Sequence, residues 1–375
     1  MNESIFNSQN LKLAREIRGL SVTELSERLS TTKQTISNYE LGKRIPSYDF
    51  VQKAAKFLRF PESYFYRNNL KLLREETAFA YRSFQSATVI NRQISTAKAT
   101  IAINILDYLL RFLTIPESAI PIDEYDYLSL SDDEIESRAI DLRERWNIGN
   151  GPIGNLTTLL ESKGVFLFYE NLAEGIDAFS FWKEGIPVIV VSKKTTSACR
   201  LRMNIAHELG HLILHQSLTK EDFKKNLKLV EKQAFVFGSE FLFPSKTFSR
   251  EFFHNDLEHY ETLKKRWKVS IAALIEKAFH LNLISNSQRS YSYKRLNIEK
   301  KRKQEPLDDI LILEEPSIIK KAIQLGEEHN LFNRNDFFHS MGVPLDLLAE
   351  FLGVEMEYFQ STIRNVNRPT LTLIK

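Results

Sequence analysis

The segment NIAHELGHLILH, residues 204–215, decides how the middle of the chain folds. Apolar residues surround its polar ones, so the segment predicts a helix that is mostly buried. His207 and His211 are four residues apart and share one face of such a helix, with Glu208 beside them. Two imidazoles at this spacing can reach one metal ion, which would offset the cost of burying them. The segment therefore predicts a zinc site with His207 and His211 as ligands.

Glu208 determines what chemistry such a site could perform. A catalytic zinc ion is held by three protein ligands and keeps a further position open for water. Glu208, held near that water, can act as the general base while the metal polarises a scissile carbonyl. The pattern therefore predicts a zinc-dependent peptidase. The alternative is a chance match on an amphipathic helix whose histidines are surface or core groups.

The third ligand can be narrowed from the residues that follow the motif. A metzincin-type site requires a third His six residues after the second, where this chain has Ser217. His215 is four residues after His211, but three successive helical turns rarely converge on one ion, so we interpret His215 as a helix-end or packing residue. A carboxylate from the next helix is the remaining choice. Glu231, twenty residues after His211, is preferred, and Glu240 stays the alternative.

Length and composition predict a multidomain globular protein. A chain of 375 residues is too long for one small core, and about two or three domains are expected. Hydrophobic residues make up 43% and charged residues 26% of the chain, which is ordinary globular composition and gives no reason to expect wholesale disorder. The single Cys199 cannot form an intramolecular disulfide, and neither a signal peptide nor a long apolar span occurs. We therefore expect a cytoplasmic protein without a membrane partner.

Hydrophobic periodicity and turn residues divide the chain into four regions. These are an amino-terminal helical domain at 1–68, a helical connector at 69–130, a metallopeptidase domain at 131–250 and a mostly helical region at 251–375. A small sheet is predicted from three β-rich runs at 165–169, 178–182 and 188–191. Helices are expected at 156–162 and from about 230 to 242. The chain is thus expected to be mostly α with one small β-sheet.

The amino-terminal region is basic and rich in capping signals. Residues 1–75 carry 13 Lys or Arg against 8 Asp or Glu, an excess of five positive charges that favours a polyanion partner. Ser21 and Glu24 predict a capping box for the second helix, and Thr31 with Gln34 predict another for the third. The pattern indicates a series of short helices joined by polar turns.

The sequence LKLAREIRGLSVTELSERLSTTKQTISNYELGKRIPS, residues 11–47, carries a resemblance of residues 9–66 to the Xre/Cro-type helix-turn-helix family. The resemblance implies that the helix from Thr32 is a recognition helix, which lies in the major groove of double-stranded DNA. Gln34 and Asn38 could read adenine there, whereas Lys43 and Arg44 are better placed for phosphates. The candidate DNA-binding residues are Lys33, Gln34, Ser37, Asn38, Lys43 and Arg44. The alternative is a five-helix scaffold used for dimerisation alone, and a homodimer is compatible with both interpretations.

A second resemblance covers the stretch from Phe179 to Pro244, which contains VIVVS, NIAHELGHLILH and EKQAFVFGSEFLFP and is similar to the ImmA/IrrE family of zinc metallo-endopeptidases. In that family a Glu begins the second helix motif, followed by an Ala-Asn pair and a terminal Leu-Met-Pro. The matching residues are Glu231, Ala234, Leu242 and Pro244. Phe235 replaces the usual Asn and Phe243 the usual Met. The Phe at 235 removes an amide that could orient a metal ligand.

The two resemblances together imply a fused protein. The expected fold class is an all-α helix-turn-helix domain followed by an α+β zincin-like metallopeptidase domain and a helical carboxyl-terminal region. The family resemblance implies relief of repression by proteolysis, so we expect a DNA-binding transcriptional regulator whose zinc-dependent endopeptidase cleaves a repressor-type protein. Two alternatives stay open. The metal domain could be a non-proteolytic sensor or scaffold, or the protein could be a repressor that cleaves itself.

Overall fold

A computed structural model describes residues 5–67, 88–115, 117–123, 126–298 and 305–360 of the chain. Residues 69–87 of the predicted connector lie outside this described part. None of the described helices is both long and apolar enough to span a membrane.

Helices dominate the described residues, and one small sheet lies in the middle of the chain. The first helices are α1 (Ser8–Ile17), α2 (Val22–Arg28), α3 (Lys33–Glu40), α4 (Tyr48–Leu58), a 3₁₀ turn at Glu62–Tyr66 and α5 (Val89–Leu109). The middle of the chain forms α6 (Asp132–Arg145), α7 (Leu156–Ser162), β1 (Phe166–Glu170), β2 (Ala178–Lys183), β3 (Ile186–Ser192), α8 (Ala198–Leu214) and α9 (Lys220–Leu242). The remaining helices are α10 (Ser245–Glu251), α11 (Leu257–Trp267), α12 (Ile271–His280), α13 (Asn286–Ile298), α14 (Ile318–Glu328), α15 (Arg334–Met341), α16 (Leu345–Leu352) and α17 (Glu357–Gln360). The predicted mostly α fold with a small sheet is confirmed.

Local capping signals set several helix ends. The predicted box at α2 is formed: the Glu24 N–H donates to Ser21 Oγ at 3.1 Å, and the Ser21 N–H donates to Glu24 Oε2 at 2.7 Å. The box predicted for Thr31 and Gln34 was wrong, because α3 starts one residue later. Thr32 caps α3 by accepting the Thr35 N–H at 3.1 Å. The Thr31 N–H instead donates to the carbonyl of Ser26 at 2.9 Å and so belongs to the end of α2.

The chain forms two compact units, and each combines segments that are distant in sequence. The first unit contains the described residues of 5–67 together with 96–114 and 318–360. The second unit contains residues 88–95 and the described part of 115–317. Each unit has its own buried residues and is described separately below.

Ion pairs and hydrogen bonds tie the carboxyl-terminal helices into the first unit. Arg18 Nη1 lies 3.2 Å from Asp346 Oδ2, and Lys98 Nζ lies 2.9 Å from Glu350 Oε1. Arg67 Nη1 donates to the carbonyl of Ser340 at 3.0 Å. Tyr108 of α5 also contacts Phe332 and Phe337, with ring centroids 5.3 and 5.1 Å apart. The last described residues are therefore part of the same core as the first.

A buried ion pair joins α1 to α3 in the first unit. Arg15 Nε lies 2.6 Å from Glu40 Oε1, and Arg15 Nη2 lies 2.8 Å from Glu40 Oε2. Both residues are buried, and the two parallel bonds satisfy the carboxylate. This pair orients α3 from its inner side and leaves its other side toward solvent.

The second unit is built around a three-stranded sheet with the order β1-β3-β2. β1 pairs with β3 in parallel and β2 pairs with β3 antiparallel, with Phe168 opposite Val190 and Ser180 opposite Ile189. The three predicted strands are thus present, each with slightly different bounds. Helices α8 and α9 complete the core around the sheet with side chains such as Ile205 and Phe237.

Candidate metal centre and nucleic-acid interface

Helices α8 and α9 approach each other closely at two glycines. A Cβ added at Gly238 would lie 2.9 Å from the backbone of Ala206 and His207. One added at Gly210 would lie 3.0 Å from the backbone of α9. A side chain at either position would force the two backbones apart. The glycines therefore allow Glu231 of α9 to come within reach of the histidines of α8.

Three predicted ligands meet at this crossing. His207 Nε2 lies 3.0 Å from His211 Nε2 and 3.2 Å from Glu231 Oε2. His211 Nε2 lies 3.6 Å from Glu231 Oε1. In the described part of the chain these residues form a group whose ligand atoms all lie within 4.8 Å of one another. The structure thus brings together the three side chains that the sequence analysis selected.

The dimensions of this group fit a zinc ion. Tetrahedral zinc with ligand bonds of about 2.0–2.2 Å separates neighbouring ligand atoms by about 3.3 Å. The three measured separations of 3.0, 3.2 and 3.6 Å lie around that value. Two imidazole nitrogens and one carboxylate are also the donor set of a zinc site with an open position for water. Geometry and donor chemistry therefore agree.

Burial and charge differ among the three residues. The His207 side chain is 13% exposed and that of His211 is 5% exposed, so the group is most accessible at His207. Burial by itself would raise the pKa of the Glu231 carboxyl, but the neighbouring His207 and His211 rings lower it well below its ordinary value. Glu231 is therefore held as a carboxylate, which is the form that binds a metal.

Glu208 lies beside the ligands and is held by a residue that sequence reasoning missed. Ser180 Oγ donates to Glu208 Oε2 at 2.7 Å, and both residues are buried. Burial raises the pKa of the Glu208 carboxyl, while His211, His207 and the Ser180 hydrogen bond act in the opposite direction. The only sequence signal for Ser180 is its polar side chain between Phe179 and Phe181 in a strand that is otherwise apolar there.

The candidate DNA-binding residues lie on and after α3 of the first unit. Lys33, Gln34, Lys43 and Arg44 are exposed, and Ser37 and Asn38 are partly exposed. Gln34 Nε2 donates to Asn38 Oδ1 at 3.1 Å, so the two amides form one polar surface. Ile36 and Tyr39 on the opposite side are buried. This helix thus presents polar side chains outward from a packed inner face.

Comparison with known protein families identifies two domains in the chain. Residues 8–71 match the helix-turn-helix domain, and residues 160–279 match the IrrE N-terminal-like domain of peptidases. The chain joins a helix-turn-helix domain to an IrrE N-terminal-like peptidase domain. No curated protein matches the chain. The helix-turn-helix match covers α1 to α4, and the IrrE N-terminal-like match covers the sheet, α8 and α9.

His215 of the IrrE N-terminal-like domain lies next to His211 and outside the group formed by His207, His211 and Glu231. It follows the last residue of α8 and is buried. Its Nδ1 lies 3.0 Å from His211 Nδ1, and its Nε2 lies 3.0 Å from Gln233 Oε1. Burial, followed by the proximity of His211, lowers the pKa of His215 to about 3. His215 is therefore a neutral imidazole in the fold.

The buried amide of α9 that contacts His215 belongs to Gln233, and residue 235 is an exposed Phe. Phe235 is 44% exposed, so an Asn at that position would point away from the buried His211 and Glu231. Gln233 on the same helix is buried and contacts His215. Gln233 was not predicted from sequence, because the amide was expected at position 235, where the family has Asn.

Glu240, the alternative ligand of the sequence analysis, is engaged elsewhere. Its carboxylate accepts hydrogen bonds from the Ser245 N–H at 2.9 Å and the Ser245 hydroxyl at 2.6 Å, and Lys277 Nζ lies 2.5 Å away. These contacts join the end of α9 to α10 and α12. In the described structure the carboxylate next to His207 and His211 is that of Glu231.

Proposed function

We propose that this protein is a transcriptional regulator whose zinc-dependent endopeptidase cleaves a repressor-type protein and thereby relieves repression. The observation that carries the proposal is the convergence of His207, His211 and Glu231 beside the buried carboxyl group of Glu208. The IrrE N-terminal-like match supports a metallopeptidase, and the helix-turn-helix match supports a DNA partner. Because the partner is DNA, we propose that the protein acts in the cytoplasm.

His207, His211 and Glu231 would hold the zinc ion through two imidazole nitrogens and one carboxylate. When bound, zinc supplies Lewis acidity, which makes a water molecule more acidic and a peptide carbonyl more electrophilic. The chain contributes the geometry, because the crossing of α8 and α9 at Gly238 brings the carboxylate to the histidines. The greater exposure of His207 supports substrate entry from that side.

Glu208 would move the protons of the reaction. As general base it takes a proton from the attacking water, and the same carboxyl group can then give that proton to the leaving amine. Burial raises the pKa of Glu208 from its ordinary value, which favours this exchange near neutral pH. Ser180 donates to one carboxylate oxygen at 2.7 Å and leaves the other oxygen for water. Ser180 is therefore proposed to orient the base.

DNA binding would use the polar surface of α3 and the turn after it. Gln34 and Asn38 are proposed to contact base edges, with Lys33 and Ser37 beside them. Lys43 and Arg44 would contact phosphates, which fix the position of the domain without reading sequence. Binding at an operator would bring the peptidase to promoters at which its repressor substrate acts.

The test is a substitution of Glu208 in the full chain. Glu208→Gln should retain one zinc ion per chain and cleave a candidate repressor, encoded beside the gene, about 10²–10⁴-fold more slowly than the native protein. Glu221→Gln, an exposed residue on α9, is the matched control and should cleave normally. Metal content is measured by atomic emission and cleavage by mass spectrometry of the fragments.

Three outcomes would change the proposal. Undiminished cleavage by Glu208→Gln would remove Glu208 from the role of base. A zinc-loaded native protein that cuts neither a partner nor itself under inducing conditions would leave a DNA-binding regulator with a metal sensor or scaffold. Fragments of this chain alone would indicate a repressor that cleaves itself.

A further inference from the structure

A line of hydrogen-bonding groups connects the ligand His211 to the main chain of Tyr127. His211 Nδ1 faces His215 Nδ1 at 3.0 Å, and His215 Nε2 faces Gln233 Oε1 at 3.0 Å. Gln233 Nε2 donates to the carbonyl of Tyr127 at 2.6 Å. His215 and Gln233 are both buried. The line starts at a side chain that would bind the metal and ends at a backbone oxygen.

The direction of these hydrogen bonds is set at the Tyr127 end. A carbonyl oxygen can only accept, so the amide of Gln233 turns its NH₂ group to Tyr127 and its oxygen to His215. That oxygen also only accepts, so His215 carries its proton on Nε2 and has a lone pair on Nδ1. The Nδ1 lone pair accepts from His211, which must then carry its own proton on Nδ1. His211 Nε2 is left with its lone pair toward His207 and Glu231.

The opposite direction leaves buried groups without a matching partner. Turning the Gln233 amide would place its oxygen against the Tyr127 carbonyl oxygen, with no proton between them. His215 would then donate from Nδ1 to His211, and the proton of His211 would sit on Nε2, where the metal should bind. A buried polar network is favourable only when each member is satisfied. The first direction satisfies all four groups and the second does not.

We propose that His215 and Gln233 are positioning residues that hold His211 in its Nδ1–H tautomer, so that Nε2 is available to a metal before the metal arrives. This inference rests on the proposed zinc site. Neither residue belongs to the group of ligand atoms, and both act through His211. In metal sites the hydrogen bond at the second ring nitrogen fixes both the tautomer and the orientation of a histidine.

Zinc affinity of the full chain, measured by competition with a chelating dye, is the first test. Gln233→Met keeps the length of the side chain but removes both hydrogen-bonding groups, and His215→Phe removes the ring nitrogens. Both should bind zinc about 10–100-fold more weakly than the native protein. His215→Gln keeps one acceptor and one donor and should restore most of the affinity. Native affinity in both Gln233→Met and His215→Phe would overturn the inference.

A matched control separates this role from packing. Gln216→Met removes another side-chain amide of the same segment, one that donates to the carbonyl of Pro121 at 2.9 Å and has no link to His211. Its zinc affinity should equal that of the native protein. An equal loss in Gln216→Met and Gln233→Met would assign the effect to packing and overturn the inference. If His215→Phe does not fold, the pair Gln233→Met and His215→Gln decides.

The tautomer itself can be read without any metal. Imidazole ¹⁵N chemical shifts of the zinc-free protein should show His211 protonated at Nδ1 and His215 at Nε2, and Gln233→Met should produce a mixture at His211. A native His211 protonated at Nε2 would overturn the inference. A native protein that binds no zinc would refute the proposed function, whereas the tautomers would still decide the role of His215 and Gln233.

Discussion

The two helices that carry the candidate functional residues differ in where their polar side chains lie. On α3, Lys33 and Gln34 are exposed, whereas on α8 Glu208 and His211 are buried. A buried polar group costs free energy unless it has a partner, while an exposed one is solvated. The buried histidines and carboxylate on α8 therefore fit only a few roles, such as binding a metal ion. The exposed polar side chains on α3 fit a solvated surface and a DNA-binding surface equally well. A family match or a binding experiment is needed to distinguish the two.

The largest expected difference between α8 and α3 is in the dependence of their functions on a metal. Treatment with a chelator should reduce cleavage by at least about 10³-fold, because the several kcal/mol that a metal contributes to the transition state would be lost. Operator binding by the exposed residues of α3 should be unchanged. Cleavage assays and fluorescence anisotropy on the same sample measure both, with zinc added back as the control. Parallel loss of operator binding would contradict the separation.

The buried carboxylate of Glu40 on α3 can be compared with that of Glu231 in the candidate metal centre. Glu40 is paired with Arg15 rather than with histidines. Arg15→Met should lower the free energy of unfolding of the first unit by about 3–5 kcal/mol, because it leaves a buried charge without its partner. Denaturant unfolding monitored by circular dichroism checks this. Lys53→Met, which removes an exposed ion pair with Asp49 at 2.7 Å, is the control and should change stability little. Equal effects of the two substitutions would contradict the prediction.

Gln34→Ala tests whether the exposed side chains of α3 contact DNA. If Gln34 reads a base, the substitution should weaken operator binding by about 1–3 kcal/mol and relax the preference at one base pair. Lys43→Ala should instead weaken binding to all sequences alike and reduce the salt dependence. Binding titrations on an operator series at two salt concentrations distinguish the two. Unchanged affinity in both variants would favour the dimerisation scaffold.

The smallest expected effect is on stability and zinc affinity, and it concerns the crossing of α8 and α9 at Gly238. Gly238→Ala gains about 1 kcal/mol of helix propensity but overpacks the backbone of Ala206 and His207 by about 1–3 kcal/mol, so stability should fall by up to about 2 kcal/mol. Zinc affinity should fall with it, because Glu231 is moved away from the histidines. Gly154→Ala, whose Cβ would have nothing within 4 Å, is the control. Thermal unfolding and zinc titration measure the two effects, and unaltered zinc affinity in Gly238→Ala would show that the crossing is not decisive.

Features that depend on neighbours in sequence could be predicted well. The capping box of Ser21 and Glu24, the helix at 156–162 and the three strands are all present near their predicted positions. Helix α9 begins at Lys220, earlier than expected, but it is interrupted by non-helical backbone at Asn226. Capping and periodicity are local, so the residues that determine them lie within a few positions of one another. The box predicted for Thr31 and Gln34 was wrong because the neighbouring Thr32 can also cap a helix, and local sequence alone does not distinguish the two residues.

Features that depend on distant residues could not be read from sequence. Ser180 reaches Glu208 from β2, and Gln233 reaches His215 from α9. Glu231 was preferred over Glu240 because of its spacing after His211, and in the structure Glu240 pairs with Lys277 of α12. Spacing along the sequence favours Glu231 but does not exclude Glu240, so both carboxylates stayed open as the third ligand. Their partners lie on other elements, and only the packing of those elements decides between them.

By itself the sequence determined two features on which function depends. One is a helix with His207, Glu208 and His211 on one side, and the other is a basic amino-terminal domain with polar residues facing outward. Residue type and helical periodicity suffice for that. Only the tertiary structure decided which carboxylate joins the histidines, which groups orient His211, and that residues 318–360 share a unit with the amino-terminal helices. These outcomes depend on close approach between segments far apart in the chain, and burial makes each approach selective because a buried polar atom must find its partner.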